Sequence, residues 1–258
     1  MIKCFYERNK TNFGDMLTPI ILEWISGDKV EYIKGKEPGK LLCIGSGMNR
    51  WLRPNDIVWG YGSRNTDQYG PIKVPAGVKF WAVRGKMTYE NILKDNPGLK
   101  VPAVFGDPGS LMPRIYQPKV EKQYKLGFIP HYIDKDVNAV VDEEINIIDI
   151  QAEPYRVIDE INKCEVIVST SMHGLIVSDA YGVPVVWLKV SDKVLGAWFK
   201  FNDYFSSVGR GQHSPVVMMD GPVDAKFLWS IRGETLPEPV VNTDPLVAAW
   251  KGKKRASI

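Results

Sequence analysis

The stretch EVIVSTSMHGLIVSDAYGVPVVWL, Glu165 to Leu188, decides the fold. Val166, Ile167 and Val168 form an apolar run of the length of a buried strand. Ser169, Thr170 and Ser171 place three hydroxyls at its carboxyl end. Met172, Leu175, Ile176 and Ala180 then recur at helical spacing. Gly182 and Pro184 stop that helix, and Val185 to Leu188 begin another buried strand. Strand, polar turn, helix and strand make one unit of a parallel α/β sheet. His173 falls in the first helical turn, where free backbone N–H groups and the positive end of the helix dipole favour an anion, above all a phosphate. An imidazole beside an anion site and hydroxyls suits proton transfer to or from a phosphorylated substrate.

The same alternation extends in both directions. Upstream, strands are expected at Ile2–Tyr6, Leu41–Ile44, Ile57–Gly60, Phe80–Val83 and Val101–Phe105, with helices at Asp15–Ser26 and Lys86–Lys94. The turn-rich run from Gly106 to Lys119 reads as a linker. Beyond it come strands at Tyr124–Ile129 and Ile145–Ile150, a helix at Tyr155–Asn162, an aromatic amphipathic segment at Trp198–Val208 and a last helix near Leu246–Trp250. The expected architecture is therefore two α/β domains, residues 1–117 and 118–258, facing a cleft. Ligands of such sheets bind beyond the carboxyl ends of the strands. That rule brings Asn12 and Asp15, Ser46 between two glycines, Tyr61, Arg84, His131 and the Ser169–Gly174 turn to one cleft.

Bulk properties narrow the function. A net charge of +3 is too mild for nucleic-acid binding. Lys251, Lys253, Lys254 and Arg255 read as a solvated terminus, or as a weak attraction to an anionic membrane worth about 1 kcal/mol per charge. Cys4, Cys43 and Cys164 lie in apolar contexts and read as core residues of a reducing compartment. No Cys/His spacing suggests a metal, and no signal peptide or membrane-spanning run is expected. The glycine pairs around Ser46 and Tyr61 do not complete a dinucleotide fingerprint, and no phosphate-binding P-loop is present, so no cofactor is expected. Asp15 reads equally as a reactive carboxylate and as one that complements its helix dipole. Asp107, in Gly-Asp-Pro, reads as a turn former ahead of a catalyst. Trp51, Tyr61 and Tyr69 offer sugar-stacking faces, while Trp59 reads as core.

Six motifs in order carry a resemblance: Asn12-Phe13-Gly14-Asp15, Ala82-Val83-Arg84-Gly85-Lys86-Met87-Thr88, Gly106-Asp107-Pro108, Ile129-Pro130-His131-Tyr132-Ile133-Asp134, Ser171-Met172-His173-Gly174-Leu175-Ile176 and Lys200-Phe201-Asn202-Asp203-Tyr204. Together they resemble the polysaccharide pyruvyl transferase family, of the succinoglycan and xanthan ketalase type. The resemblance implies two Rossmann-like halves similar to the GT-B glycosyltransferase architecture. It implies transfer of pyruvate from phosphoenolpyruvate to two hydroxyls of a glycan as a cyclic ketal, with phosphate released. The acceptor would be a lipid-linked oligosaccharide, and the enzyme cytoplasmic or peripheral at the inner face of the plasma membrane. His173 and Arg84 match the family's histidine and arginine. His131 and Asp15 are further catalytic candidates. Phosphoenolpyruvate would contact Arg84, Ser169, Thr170, Ser171, Met172, His173 and Gly174, and the acceptor Asn12, Asp15, Ser46 and Tyr61. Many family members carry an arginine two places before the histidine; this chain has Ser171, so Lys189, Lys200 or Arg210 would supply the cation. Two alternatives stay open: a nucleotide-sugar glycosyltransferase of the same shape, and a non-catalytic glycan-binding protein.

Overall fold

The computed structural model describes residues 1–8, 12–64, 66–135, 142–219 and 223–253. Lys254 and Arg255 of the basic tail lie outside the described residues. The first half forms strands β1 (Ile2–Phe5), β2 (Val30–Tyr32), β3 (Leu41–Leu42), β4 (Ile57–Tyr61) and β5 (Lys79–Val83). They pair in the order β2-β1-β3-β4-β5, every pair parallel. The second half forms β6 (Tyr124–Ile129), β7 (Ile145–Ile147), β8 (Cys164–Ser169), β9 (Val185–Lys189) and β10 (Val216–Val217). Their order is β10-β9-β8-β6-β7, again all parallel. Parallel strands need crossover connections and burial on both faces, and the uninterrupted apolar runs meet that need.

Each sheet has one face on a core of its own. Phe5, Leu42, Val58 and Phe80 pack together in the first half, and Phe128, Val168, Val186 and Leu228 in the second. The other faces share one larger core, in which Leu17 and Ile21 of the Phe13–Ser26 helix meet Ile158, Leu175 and Phe201 of the second half. The amphipathic pattern of residues 13–26 thus fixes how the halves sit. The Asp244–Ala248 helix returns to the first half, where its Leu246 carbonyl accepts from Trp59 Nε1 at 2.9 Å. Trp250 packs edge-on against Trp59 and Trp81.

One expectation is corrected. Val101–Phe105 forms no strand, only a single parallel bridge between Val83 and Phe105. Pro102 has no N–H to give a ladder. The run from Gly106 to Lys119 joins the two sheets, and its first part is packed into the core. Pro108–Leu111 is a 3-10 turn and Met112–Ile115 a short helix, and residues from Pro108 to Met112 are buried. A side chain at Gly109 would meet Leu17 and Ile176, so this turn is wedged between helices of the two halves. Its proline and glycine read as loop in sequence, but Leu111 and Met112 give it a core to join. Among the described residues, no helix is long and apolar enough to cross a membrane.

Candidate active site

Two helices point their N-termini at the space between the sheets: Phe13–Ser26 from the first half and Met172–Ala180 from the second. A cleft of about 290 Å³ opens there. Asn12, Asp15, Ser46 and Tyr61 line it from one side, and His131, Ser171, Met172 and His173 from the other. Trp51 lines it as well, Tyr69 lies outside it, and Trp59 is fully buried core.

His173 is almost wholly buried, at 6% exposure. Its ring rests on Gly14, where a methyl group would fall 2.0 Å from Nδ1. Glycine here is a close-approach requirement: the helix of one half must admit the imidazole of the other. On the far side, Nε2 stands 3.7 Å from Oδ2 of Asp107. Both atoms are buried, and neither has a hydrogen-bond partner among the described residues. The other oxygen of Asp107 caps the 3-10 turn, accepting from Gly109 N–H at 2.9 Å. The turn-forming role holds for one carboxylate oxygen only; the other faces the histidine.

Asp15 accepts from the Glu7 N–H at 3.0 Å and from Asn12 Nδ2 at 2.6 Å. Burial pushes its pKa up to about 6, although the Glu7 N–H, His173 and Asn12 pull the other way. A carboxylate in that range gains and loses its proton near neutral pH.

The cations are arranged differently from expectation. Arg84 is completely buried and does not line the cleft. Its Nε donates to Asp203 Oδ2 at 2.8 Å, its Nη1 to Ser46 Oγ and Gly45 O, and its Nη2 to Ser63 O. The guanidinium is committed to protein partners, one of them Ser46 of the cleft wall. Asp203 also accepts from Thr88 N and Thr88 Oγ1, both at 2.7 Å. The pair therefore ties the Ala197–Ser207 helix of the second half to the end of β5.

Lys200, one helical turn before Tyr204, does line the cleft, with Arg64 and Lys193. Its ammonium has no ion pair among the described residues. Burial, then the nearby Arg84 and Arg64, lower its pKa to about 7. Arg64 Nε is buried without a hydrogen-bond partner among the described residues. The other two proposed substitutes for an arginine at Ser171 are spent elsewhere. Arg210 holds Asp179 with two bonds, at 2.6 and 2.9 Å, and Lys189 pairs with Asp192 at 2.6 Å.

The hydroxyls are also largely committed. Ser169 Oγ accepts from Ser171 N–H at 3.0 Å and donates to Ser171 O at 2.9 Å. Thr170 Oγ1 accepts from His131 N–H at 2.6 Å. Ser171 Oγ caps its helix through Gly174 N–H at 3.4 Å. Of Ser169, Thr170, Ser171 and Gly174, only Ser171 lines the cleft, so the expected hydroxyl cradle is mostly the scaffold of the turn. His131 lies in the cleft wall with its ring against Tyr132, centroids 4.4 Å apart. Arg64 and Asp107 were not among the site residues expected from sequence, and only folding brings them to the cleft and its histidine.

Known proteins resemble this chain in the same region. Residues 73–192 match the family described as polysaccharide pyruvyl transferase, a span holding Arg84, Asp107, His131 and His173. The chain is 30% identical over 217 residues to a succinoglycan biosynthesis protein, ExoV, of Rhizobium meliloti, a match spanning 80% of this chain and 64% of that protein. It is 29% identical over 167 residues to the uncharacterized protein L143 of Acanthamoeba polyphaga mimivirus, spanning 60% of this chain and 55% of that one. The chain thus spans less than two thirds of the length of each relative. Residues 73–192 thus match the polysaccharide pyruvyl transferase family, and the similarity to the succinoglycan relative extends over 80% of the chain.

Proposed function

We propose that this chain transfers the pyruvate of phosphoenolpyruvate to two hydroxyls of a glycan as a cyclic ketal, releasing phosphate, in the biosynthesis of a surface polysaccharide. The observation that carries this reading is His173, seated at a helix N-terminus in the cleft, backed by Asp107 and beside Asp15. The family match and the succinoglycan relative support it.

The chemistry needs an acid, a base and cations. Nε2 of His173 faces Asp107, Nδ1 lies against Gly14, and the residue lines the cleft. In this reading the imidazolium gives its proton to C3 of the enol ester, and C2 becomes electrophilic. A sugar hydroxyl adds at C2 while Asp15 takes its proton. Phosphate leaves with the C2–O bond electrons, and the second hydroxyl closes the ring at C2 as the imidazole, neutral since it protonated C3, takes its proton. Asp107 stabilises the charged imidazole and fixes its orientation, the part a buried carboxylate plays behind a catalytic histidine. Lys200, Arg64 and the helix N-termini hold the phosphate and carboxylate. Arg84 acts as a positioning residue, holding Ser46 and Asp203 in place. Asn12, Ser46 and Tyr61 face the reacting sugar. The two parallel sheets suit a GT-B-like arrangement, and a lipid-linked acceptor would set the enzyme at the inner face of the plasma membrane.

The test is the fate of the donor carbon. With carbon-labelled phosphoenolpyruvate and an oligosaccharide panel, label should appear in the glycan as an acid-labile ketal. A product carrying a sugar from a nucleotide donor instead would overturn the reading.

A further inference from the structure

A second cavity, of about 670 Å³, lies beyond the carboxyl ends of β8 and β9 and takes no part in the proposed chemistry. Val194 and Leu195 line both it and the cleft, so one segment of chain divides the two. Thr170, in its wall, accepts the backbone N–H of His131, which stands in the cleft wall.

Its surfaces are of two kinds. Trp198 is 47% exposed although it sits among buried aromatics, and partly buried Tyr69 faces the same space. Behind them Trp187 and Phe201 stack with centroids 4.5 Å apart and planes within 10°. The polar feature is Asp134, 2% exposed. One of its carboxylate oxygens accepts from Ser191 Oγ at 2.5 Å; the other is buried with no hydrogen-bond partner among the described residues. An unpaired buried carboxylate oxygen costs free energy until a donor reaches it. Lys189, the cation of the wall, is already paired with Asp192.

We propose that this cavity is a subsite for further, uncharged sugar residues of the acceptor glycan. The inference rests on the reading of the cleft as the transfer site. A sugar offers an apolar C–H face to Trp198 and Tyr69 and hydroxyl donors to Asp134. A phosphate or nucleotide diphosphate would meet an unpaired negative charge and no free cation, and a lipid tail would leave the carboxylate unanswered. The shared wall at Val194–Leu195 lets one oligosaccharide place its reacting diol in the cleft and its preceding residues here.

The experiment is calorimetric binding of glucose, cellobiose, cellotetraose, lactose and maltotetraose to the full chain, with Trp198→Ala and Asp134→Asn as variants. The exposed Trp198 side chain can be removed without touching the core, and Asn keeps the shape of Asp134. Affinity should rise with chain length in the wild type, and each variant should lose about tenfold for the best tetrasaccharide. Affinity that does not rise with length, or is unchanged in both variants, overturns the subsite. A parallel arm records the melting temperature with phosphoenolpyruvate. A donor-induced rise in all three proteins keeps the reading of the cleft even when the subsite fails. Absence of that rise counts against the cleft reading alone.

Discussion

His173 Nε2 and Asp107 Oδ2 lie 3.7 Å apart, both buried and each without a hydrogen-bond partner among the described residues. Two unanswered groups facing each other just beyond hydrogen-bond reach become a charge-assisted pair when the imidazole takes a second proton. Asp107→Asn should lower kcat about ten- to a hundredfold while leaving the donor KM near wild type. A structural role alone would instead lower the melting temperature and leave the pH–rate profile in place. Comparing that profile with thermal melts checks it.

Gly14→Ala tests the approach of the two halves. Its methyl group would fall 2.0 Å from His173 Nδ1, so the imidazole must move. Loss of most turnover is expected, with the circular dichroism of the fold retained. Activity within a few-fold of wild type would show that the ring has another productive position.

Asp15 should act as base only when ionised. Its pKa, raised to about 6 by burial, makes kcat/KM climb as pH rises through that value. Asp15→Asn should remove this limb and lower the plateau about a hundredfold. Its effect on stability has the opposite sense. A raised folded-state pKa means that wild-type stability falls as pH rises from the ordinary carboxylate range to about 6.

In the proposed reading Lys200, which lines the cleft, supplies the cation that Ser171 lacks. Since burial and its arginine neighbours lower its pKa to about 7, the donor KM should rise above that pH as the ammonium is lost. Lys200→Arg should flatten the dependence, because guanidinium keeps its charge. Lys200→Met should raise the donor KM about ten- to a hundredfold. Its folded-state pKa lies below the ordinary lysine value, so wild-type stability rises with pH between about 7 and the ordinary range. The Met variant should therefore be the more stable protein below pH 7, and its advantage should shrink across that window.

Arg84 and Asp203 form a fully buried ion pair between the halves. Asp203→Asn leaves a guanidinium unpaired, at a cost of about 3–5 kcal/mol. A fall of roughly 10 °C in melting temperature is expected for a chain of this size, read by calorimetry.

The stretch from Glu165 to Leu188 yielded its strand, helix and following strand because its apolar spacing is local and its stops are Gly182 and Pro184. His173 was legible for the same reason. Arg84 was legible as a special residue but not as a buried one. Its partner Asp203 lies 119 residues away, and no periodicity encodes that pairing. Asp107 was masked by its own turn chemistry, since Gly-Asp-Pro accounts for the residue without any histidine. The burial of residues 108–112 was missed because their turn signals are local while the helices that cover them come from both halves. Val101–Phe105 has a strand's composition, but Pro102 withholds a donor that only the ladder would reveal as missing.

The most direct measurement is phosphate release from phosphoenolpyruvate, with and without oligosaccharide acceptors, in the wild type and His173→Ala. The account predicts acceptor-dependent release that falls by a factor of about a hundred or more in the variant. Release that proceeds equally in the variant, or a wild type that is neither stabilised by phosphoenolpyruvate nor turned over with any acceptor, would contradict it.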